Sequence, residues 1–255
     1  MPFCYIKDVP INFESAGEKH GPEGAMVFVH GAGGSAYNWH RQVGYFKGVD
    51  KMQVALDLPG HGRSAGNGCD QIFLYREWLR QFCEAMEIKK PVLAGHSMGG
   101  AIVMEYALRY PGEAEALLLI GTAPELKAPA AFLEKLKRGE YDLERAGRGY
   151  AKSTPADFVE KMLARSLETD PRVRYADYLA CHRFKLQEEE LAAINTPTLV
   201  ICGTEDISTP PEASRYLAKT IPAAELFLLE EAAHNIILER PQPVNERIAR
   251  FLDTL

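Results

Sequence analysis

No stretch of the 255 residues approaches the roughly 18 consecutive apolar residues of a membrane-spanning helix. The start, Met1-Pro2-Phe3-Cys4-Tyr5-Ile6-Lys7-Asp8, lacks the basic and then apolar regions of a secretory signal. Basic excess is missing too: 29 Lys and Arg stand against 35 Asp and Glu, a net charge of −6, so nucleic acid is not an expected partner. The longest same-sign runs, Glu188-Glu189-Glu190 and Lys89-Lys90, read as solvated surface. The five cysteines (Cys4, Cys69, Cys83, Cys181 and Cys202) are odd in number and widely spaced, with no C-x-x-C and no histidine at zinc-finger spacing. Buried, reduced thiols in a cytoplasmic chain without a bound metal are the expectation. Internal repeats and low-complexity tracts are absent. What is present is 46% hydrophobic and 25% charged residues, enough to bury a core and far from the composition of disorder.

Short apolar runs punctuated by glycine organise the first half of the chain. Phe3 and Tyr5, then Ile11, Phe13 and Ser15, alternate as two short strands around Val9-Pro10. Ala25–His30 ends in Gly31-Ala32-Gly33-Gly34, Met52–Asp57 ends in Leu58-Pro59-Gly60-His61-Gly62-Arg63-Ser64, and Pro91–His96 ends at Ser97. Unbroken and β-branched, these runs read as strands buried on both faces. Between them Asp70–Ile88 has the spacing of an amphipathic helix, with Asp70 placed to cap it. A second helix follows Ser97 and stops at Pro111-Gly112, and Ala116–Ile120 is a further strand. Strict alternation of strand and helix predicts an α/β fold, a mostly parallel doubly wound sheet. From Pro124 to Asn195 the alternation stops. Helical spacing over Ala130–Arg138, Leu143–Ala151, Pro155–Leu167 and Pro171–Phe184 predicts an inserted helical segment. Strand and helix resume at Pro197–Cys202, Glu212–Thr220, Glu225–Leu229 and Val244–Leu252.

Gly95-His96-Ser97-Met98-Gly99 is G-x-S-x-G between a predicted strand and a predicted helix. The small residues let strand and helix approach, and the tight turn lifts a nucleophilic serine clear of the backbone. A serine hydroxyl needs a base. Of the seven histidines, His234 follows the last strand, where an open α/β sheet presents ligand-facing loops. His20 lies in a polar loop, His30 reads as fixing its loop by hydrogen bonding, and the His96 side chain is expected to leave the elbow in another direction. The acid that would hold the base is Asp206, after the strand ending at Cys202. Its competitors are the adjacent Glu205 and Asp57, whose context reads as a structural turn, while Gly121-Thr122 offers no acid after the strand Leu117–Ile120. Backbone N–H groups at Met98, on a helix N-terminus, and in His30-Gly31-Ala32-Gly33-Gly34 could hold an oxyanion. The glycine loop lacks both Gly-Lys-Ser/Thr and a G-x-G-x-x-G opening a helix, so it is not a phosphate cradle.

With these motifs, and with Gly203-Thr204-Glu205-Asp206, Ala233-His234 and the tail from Glu239-Arg240-Pro241 through Phe251-Leu252, the chain resembles the α/β-hydrolase fold superfamily, in particular bacterial serine carboxylesterases with a helical cap. The resemblance covers residues 3–124 and 196–255; 125–195 matches poorly but stands where the family inserts its cap. It implies a core domain of 1–124 and 196–255 with a cap of 125–195. It further implies a Ser97–Asp206–His234 triad, and an oxyanion hole from the N–H groups of Met98 and of Ala32 or its neighbour Gly33.

The implied reaction is hydrolysis of a small-molecule carboxylic ester through an acyl-enzyme, with no cofactor. A serine at position 97 argues against the carboxylate-nucleophile members, the dehalogenases and epoxide hydrolases. Carbon–carbon bond hydrolases often carry Asn before the serine and Trp after the histidine, where this chain has His96 and Asn235. Thioesterase, lactonase and carbon–carbon bond hydrolysis remain alternatives, and a ligand receptor is the non-enzyme one. Phe132, Tyr141, Phe158, Met162 and Tyr178 in the insertion favour an apolar substrate group. Arg165, Arg172, Arg174, Arg183 and Lys185 could meet an anionic group, although a solvated helix face is the simpler expectation. Oligomeric state is left open.

Overall fold

The apolar runs become the interior of a sheet, in a computed structural model that describes residues 2–17, 24–48 and 51–255. In chain order the strands are β1 (Phe3–Ile6), β2 (Val9–Ala16), β3 (Ala25–Val29), β4 (Met52–Leu56), β5 (Val92–His96), β6 (Ala116–Ile120), β7 (Thr198–Gly203) and β8 (Ala224–Leu229). They form an eight-stranded sheet in the order β1-β2-β4-β3-β5-β6-β7-β8. The pairs β1–β2 and β2–β4 are antiparallel and all others parallel. Both faces are covered, which is why the inner strands read as unbroken apolar runs. In β3, Val27 and Val29 join the core on one face while Met26 and Phe28 join the core on the other.

The opening hairpin turns one step earlier than the sequence suggests. Lys7 and Asp8 both take positive φ, 47° and 68°, as a two-residue hairpin turn requires. Pro10 therefore lies inside β2, opposite Tyr5.

Helices pack on both faces: α1 (His40–Tyr45), α2 (Ile72–Ala85) and α3 (Met98–Arg109) come first. Asp70 does not cap α2. Gln71 stands at the cap position without a side-chain bond, and the Asp70 carboxylate instead pairs with Arg183 from the distant inserted segment. That segment, between β6 and β7, carries α4 (Ala130–Lys137), α5 (Leu143–Gly147), α6 (Ala156–Ser166), α7 (Pro171–Arg183) and α8 (Glu188–Ala192). Its local start signals are plain: Asp142 accepts from the Arg145 N–H, and Asp170, followed by Pro171, accepts from the Arg172 N–H. Its own apolar cluster, Ala128, Phe132 and Leu136 with three tyrosines, is small, while Ala180 and Cys181 of α7, and Phe184 just after it, belong to the core of the sheet. The chain closes with α9 (Pro211–Thr220), α10 (Ile236–Glu239) and α11 (Pro241–Leu252).

The tightest packing lies where β5 enters α3. A Cβ on Gly95 would stand 2.2 Å from the Gly99 carbonyl oxygen, and one on Gly99 would stand 2.1 Å from the Val29 carbonyl oxygen. Helix and strand backbones touch there, and Ser97 between them takes φ 53° and ψ −116°, a conformation a non-glycine residue adopts only when its surroundings enforce it. Gly99→Ala should therefore cost about 3 kcal/mol or more in urea unfolding, since the obstructing atoms are backbone. Gly44→Ala is the contrast: it sits exposed in α1 with nothing within 4 Å of a new Cβ and should stay within about 1 kcal/mol of the parent or gain. Equal stability of the two variants would refute the close-approach account.

Candidate active site

Three side chains from separate strand ends meet above the sheet. Ser97 follows β5, Asp206 follows β7 and His234 follows β8, so all three stand at the carboxyl edge of the parallel strands. The Ser97 hydroxyl donates to His234 Nε2 at 3.0 Å, and His234 Nδ1–H donates to Asp206 Oδ2 at 2.9 Å. Asp206 is almost wholly buried and well supplied with donors: its Oδ1 accepts from the N–H groups of Ser208 and Thr209 at 2.8 and 2.9 Å, and its Oδ2 also accepts from Thr209 Oγ1 at 2.8 Å. Burial alone would raise this carboxyl. The facing His234 charge and the donors outweigh it and hold Asp206 below the usual carboxylate range. For His234 burial pulls downward, and the Asp206 charge and hydrogen bond reverse it, so its pKa stands above the ordinary 6.5. Glu205 turns away and accepts from the Lys152 N–H at 3.1 Å.

His96 and His30 are structural here. His96 Nε2–H donates to the His234 carbonyl at 2.8 Å, so the residue before the serine props the backbone of the histidine that faces it. His30 Nδ1–H donates to Gly31 O at 2.8 Å, and its Nε2 accepts from the Leu58 N–H at 3.1 Å. Asp57 is the turn residue the sequence suggests: it accepts from Asn12 Nδ2 and from the N–H groups of Ala36 and Arg63. His40 donates to Tyr37 O, His182 is exposed, and His20 lies outside the described residues.

The glycine loop after β3 closes as a tight turn, with the Gly34 N–H donating to Gly31 O at 3.0 Å and Gly33 at φ 66°. Gly33 is held from the inserted segment on both sides. Its N–H donates to Asp177 Oδ2 at 2.7 Å, and its carbonyl accepts from Thr169 Oγ1 at 2.8 Å. Met98 opens α3, so its N–H has no acceptor within the helix.

Neither Asp177 nor Thr169 was singled out by the sequence. Asp177 lies on the buried stripe of α7 with Val173, Ala180 and Cys181. A carboxylate on an apolar helix face is the signal that marks it. Arg174 corrects another expectation: far from a solvated face, it is buried, donates to Ser166 O and Thr169 O, and lies over the Tyr141 ring.

Ser97 and His234 open into a cavity of about 680 Å³ between sheet and inserted segment, with a mixed lining in which Phe132, Tyr150, Met162 and Leu163 stand beside polar and charged side chains such as Asn38, Asp142 and Glu168. Arg145 and Arg165 also line it. They lie over the rings of Phe132 and Tyr37, and neither forms an ion pair among the described residues. Those residues hold no cluster of three or more His, Cys, Asp or Glu placed to bind a metal, and none of their helices is long and apolar enough to cross a membrane.

Residues 24–241 match the family described as alpha/beta hydrolase fold, and the chain belongs to that family. Several of its relatives are named as hydrolases. It is 26% identical over 90% of its length to the (E)-2-((N-methylformamido)methylene)succinate hydrolase of Acinetobacter baylyi, covering 90% of that protein. It is 29% identical over 81% of its length to the monoacylglycerol lipase of Mycolicibacterium smegmatis, covering 79% of it. Among solved structures, a thermophilic esterase superposes with a TM-score of 0.85 at 28% identity, over 99% of this chain and 97% of that one. The enol-lactonase of Burkholderia xenovorans shares the fold at TM-score 0.87 and 23% identity, over 99% of this chain and 100% of that one.

Two buried histidines make the chain sensitive to acid. Burial first, then the neighbouring histidine, pushes His30 down to about 4 and His96 down to about 3. The unfolded chain takes up these protons below pH 6.5 while the folded chain refuses them, so stability is present above 6.5 and falls as pH drops toward the folded values. His61, raised by Asp177 against its burial, runs the other way, its contribution present below 6.5 and lost as pH rises through its folded value. Thermal unfolding at pH 7 and pH 4.5 should show a loss of stability in acid that is smaller in His96→Asn; an equal loss in both would refute the assignment.

Proposed function

We propose that the chain is a serine hydrolase that cleaves carboxylic esters of small or medium apolar substrates through an acyl-enzyme. The observation that carries this reading is the unbroken line from Ser97 Oγ through the His234 ring to Asp206, opening into a cavity whose wall includes the apolar side chains of Phe132, Met162 and Leu163. Ser97 attacks the ester carbonyl as its proton passes to His234 Nε2, and Asp206 stabilises the imidazolium. The oxyanion rests on the N–H groups of Ala32 and Met98. Between Ala32 and Gly33, Ala32 is the donor, because the Gly33 N–H is already given to Asp177. His234 then protonates the leaving alcohol, and water activated by the same imidazole releases the acid and regenerates Ser97. Residues 125–195 act as a cap that shapes the substrate cavity. The thermophilic esterase and the monoacylglycerol lipase among the similar proteins fit this chemistry.

Ser97→Ala should lower kcat on p-nitrophenyl butyrate by about 10⁴-fold or more and abolish labelling by a fluorophosphonate. The parent's kcat/KM should fall as pH drops through the His234 pKa, on a limb lying above 6.5, because the base must be neutral. Retained turnover in Ser97→Ala sinks the reading.

A second reading concerns the substrate: an ester or lactone that bears a carboxylate. Arg145 and Arg165 favour it, as guanidinium groups on the cavity wall with no ion pair among the described residues, and the succinate hydrolase relative is named for a dicarboxylate. Under it, Arg165→Met raises KM for the p-nitrophenyl monoester of adipic acid about tenfold, the loss of one charge-assisted contact, and leaves p-nitrophenyl hexanoate unchanged. Equal effects on the two esters leave only the apolar reading.

A further inference from the structure

Asp177 lies on α7, 144 residues from Gly33 in sequence, yet it is wholly buried and makes three hydrogen bonds that converge beside the glycine turn. Its Oδ2 accepts from the Gly33 N–H at 2.7 Å and from His61 Nε2–H at 2.7 Å, and its Oδ1 accepts from the Tyr75 hydroxyl. The other His61 nitrogen faces the Pro59 carbonyl at 3.1 Å. Both ring nitrogens therefore point at acceptors, the arrangement of an imidazolium. Tyr75 Oη accepts in turn from the Cys69 N–H at 2.8 Å. The inserted segment thus sends one carboxylate into the core, where a histidine, a tyrosine and a backbone amide hold it.

The same peptide region is gripped a second time. Thr169, just before α7 and also buried, donates to the Gly33 carbonyl at 2.8 Å. The Arg174 guanidinium lies against Gly33, 3.4 Å from where a Cβ would stand, and donates to the Thr169 carbonyl at 3.3 Å. Gly33 has its N–H and its C=O each tied to a side chain of the insertion, while the Ala32 N–H next to it is left for a ligand. The Gly33 N–H belongs to the central Ala32–Gly33 peptide of the turn; a rotation of that peptide away from Asp177 changes ψ of Ala32 and so loosens the residue whose own N–H is to face the ligand.

We propose that Asp177 and Thr169 are positioning residues that clamp Gly33 from the insertion, so that the oxyanion turn is held in its working orientation only while α7 is docked. This rests on the serine hydrolase reading for its catalytic purpose. Asp177 does not line the cavity; Thr169 does, but its hydroxyl is given to the Gly33 carbonyl. They act through the turn, and His61 and Tyr75 fix Asp177 from behind. The insertion is then part of the machinery as well as its cover: a substrate that displaces α7 also loosens the donor that must meet its oxyanion. The transition state suffers more than substrate binding, because the oxyanion forms only after binding.

The test uses Thr169→Val, which keeps shape and removes the hydroxyl, Thr169→Ser, which restores it, and Asp177→Asn, which leaves one acceptor oxygen for three donors. On p-nitrophenyl butyrate, Thr169→Val should lose about tenfold in kcat with KM within twofold, and Thr169→Ser should recover most of it. Affinity for an alkyl trifluoromethyl ketone, which forms a tetrahedral adduct, should fall with kcat and not with KM. Asp177→Asn should lose more. Amide hydrogen exchange at Gly31–Gly34 reads the clamp without turnover and should quicken about tenfold or more in Thr169→Val and Asp177→Asn. If Asp177→Asn fails to fold, the Thr169 pair still decides. Unchanged exchange or unchanged kcat in a folded, active Thr169→Val overturns the clamp alone. A parent that neither hydrolyses esters nor takes up a fluorophosphonate overturns the hydrolase reading and the catalytic purpose of the clamp with it.

Discussion

A helix pressed against two strands with no side chain between them decides where everything else stands. The Gly99 position on α3 rests on the Val29 carbonyl of β3, and the Gly95 position on β5 rests on the Gly99 carbonyl. The turn joining them cannot relax, so Ser97 is held at φ 53° with its hydroxyl outward. The strain is over-determined by the buried strands on either side, which is the condition for its persistence. Because β5, β7 and β8 run parallel, the loops that leave them share one edge, and Asp206 and His234 arrive beside the serine without further adjustment. The His96 bond to the His234 carbonyl ties the elbow to the last of these loops.

A second constraint is electrostatic. A carboxylate and an imidazolium wholly out of water are expensive, and attraction between them seldom repays the desolvation unless every remaining donor and acceptor is used. Around Asp177 they are used: three donors converge on the carboxylate, and the far nitrogen of His61 meets a carbonyl. Such a network adds little net stability compared with apolar packing of the same volume. What it supplies is specificity of arrangement, because a shifted α7 would leave a buried charge unmatched. His30, 4.7 Å from the His61 ring, stays neutral for the same reason, since a second buried positive charge there has no partner.

The legible parts of the sequence are those governed by local rules. Ala25–His30, Met52–Asp57 and Pro91–His96 announce themselves as doubly buried strands because period and composition act over a few residues. The elbow is legible because glycine spacing records a backbone contact directly, and Asp206 and His234 follow from strand order. The parts that were not legible depend on distant partners. Asp70 looks like a helix cap until Arg183 is brought to it from 113 residues away. Arg174 looks like surface until Tyr141 and two carbonyls are folded around it. Asp177 is the clearest case: its place on an apolar stripe flags a buried charge, but nothing local names Gly33, His61 and Tyr75 as its partners.

Docking of the inserted segment is also distributed in a telling way. On the Gly33 side it engages the turn through Asp177 and Thr169. On the other side the Asn235 side chain donates to Gly149 O, and Glu239 accepts from the Ala151 N–H and Thr154 Oγ1, beside His234. The segment's own apolar cluster is too small to hold it as an independent body, so its geometry is set by the apolar residues it buries in the sheet's core, Met162, Ala180, Cys181 and Phe184 among them, together with these polar ties to the carboxyl edge of the sheet. A change in the insertion that shifts its docking therefore passes through contacts that also fix the glycine turn and the histidine loop. On the proposed serine hydrolase reading, substrate preference and catalytic geometry are coupled. Variation that spares Asp177, Thr169, Asn235 and Glu239 while altering the wall at Phe132, Met162 or Leu163 is the kind that can change what the cavity accepts without disturbing how it reacts.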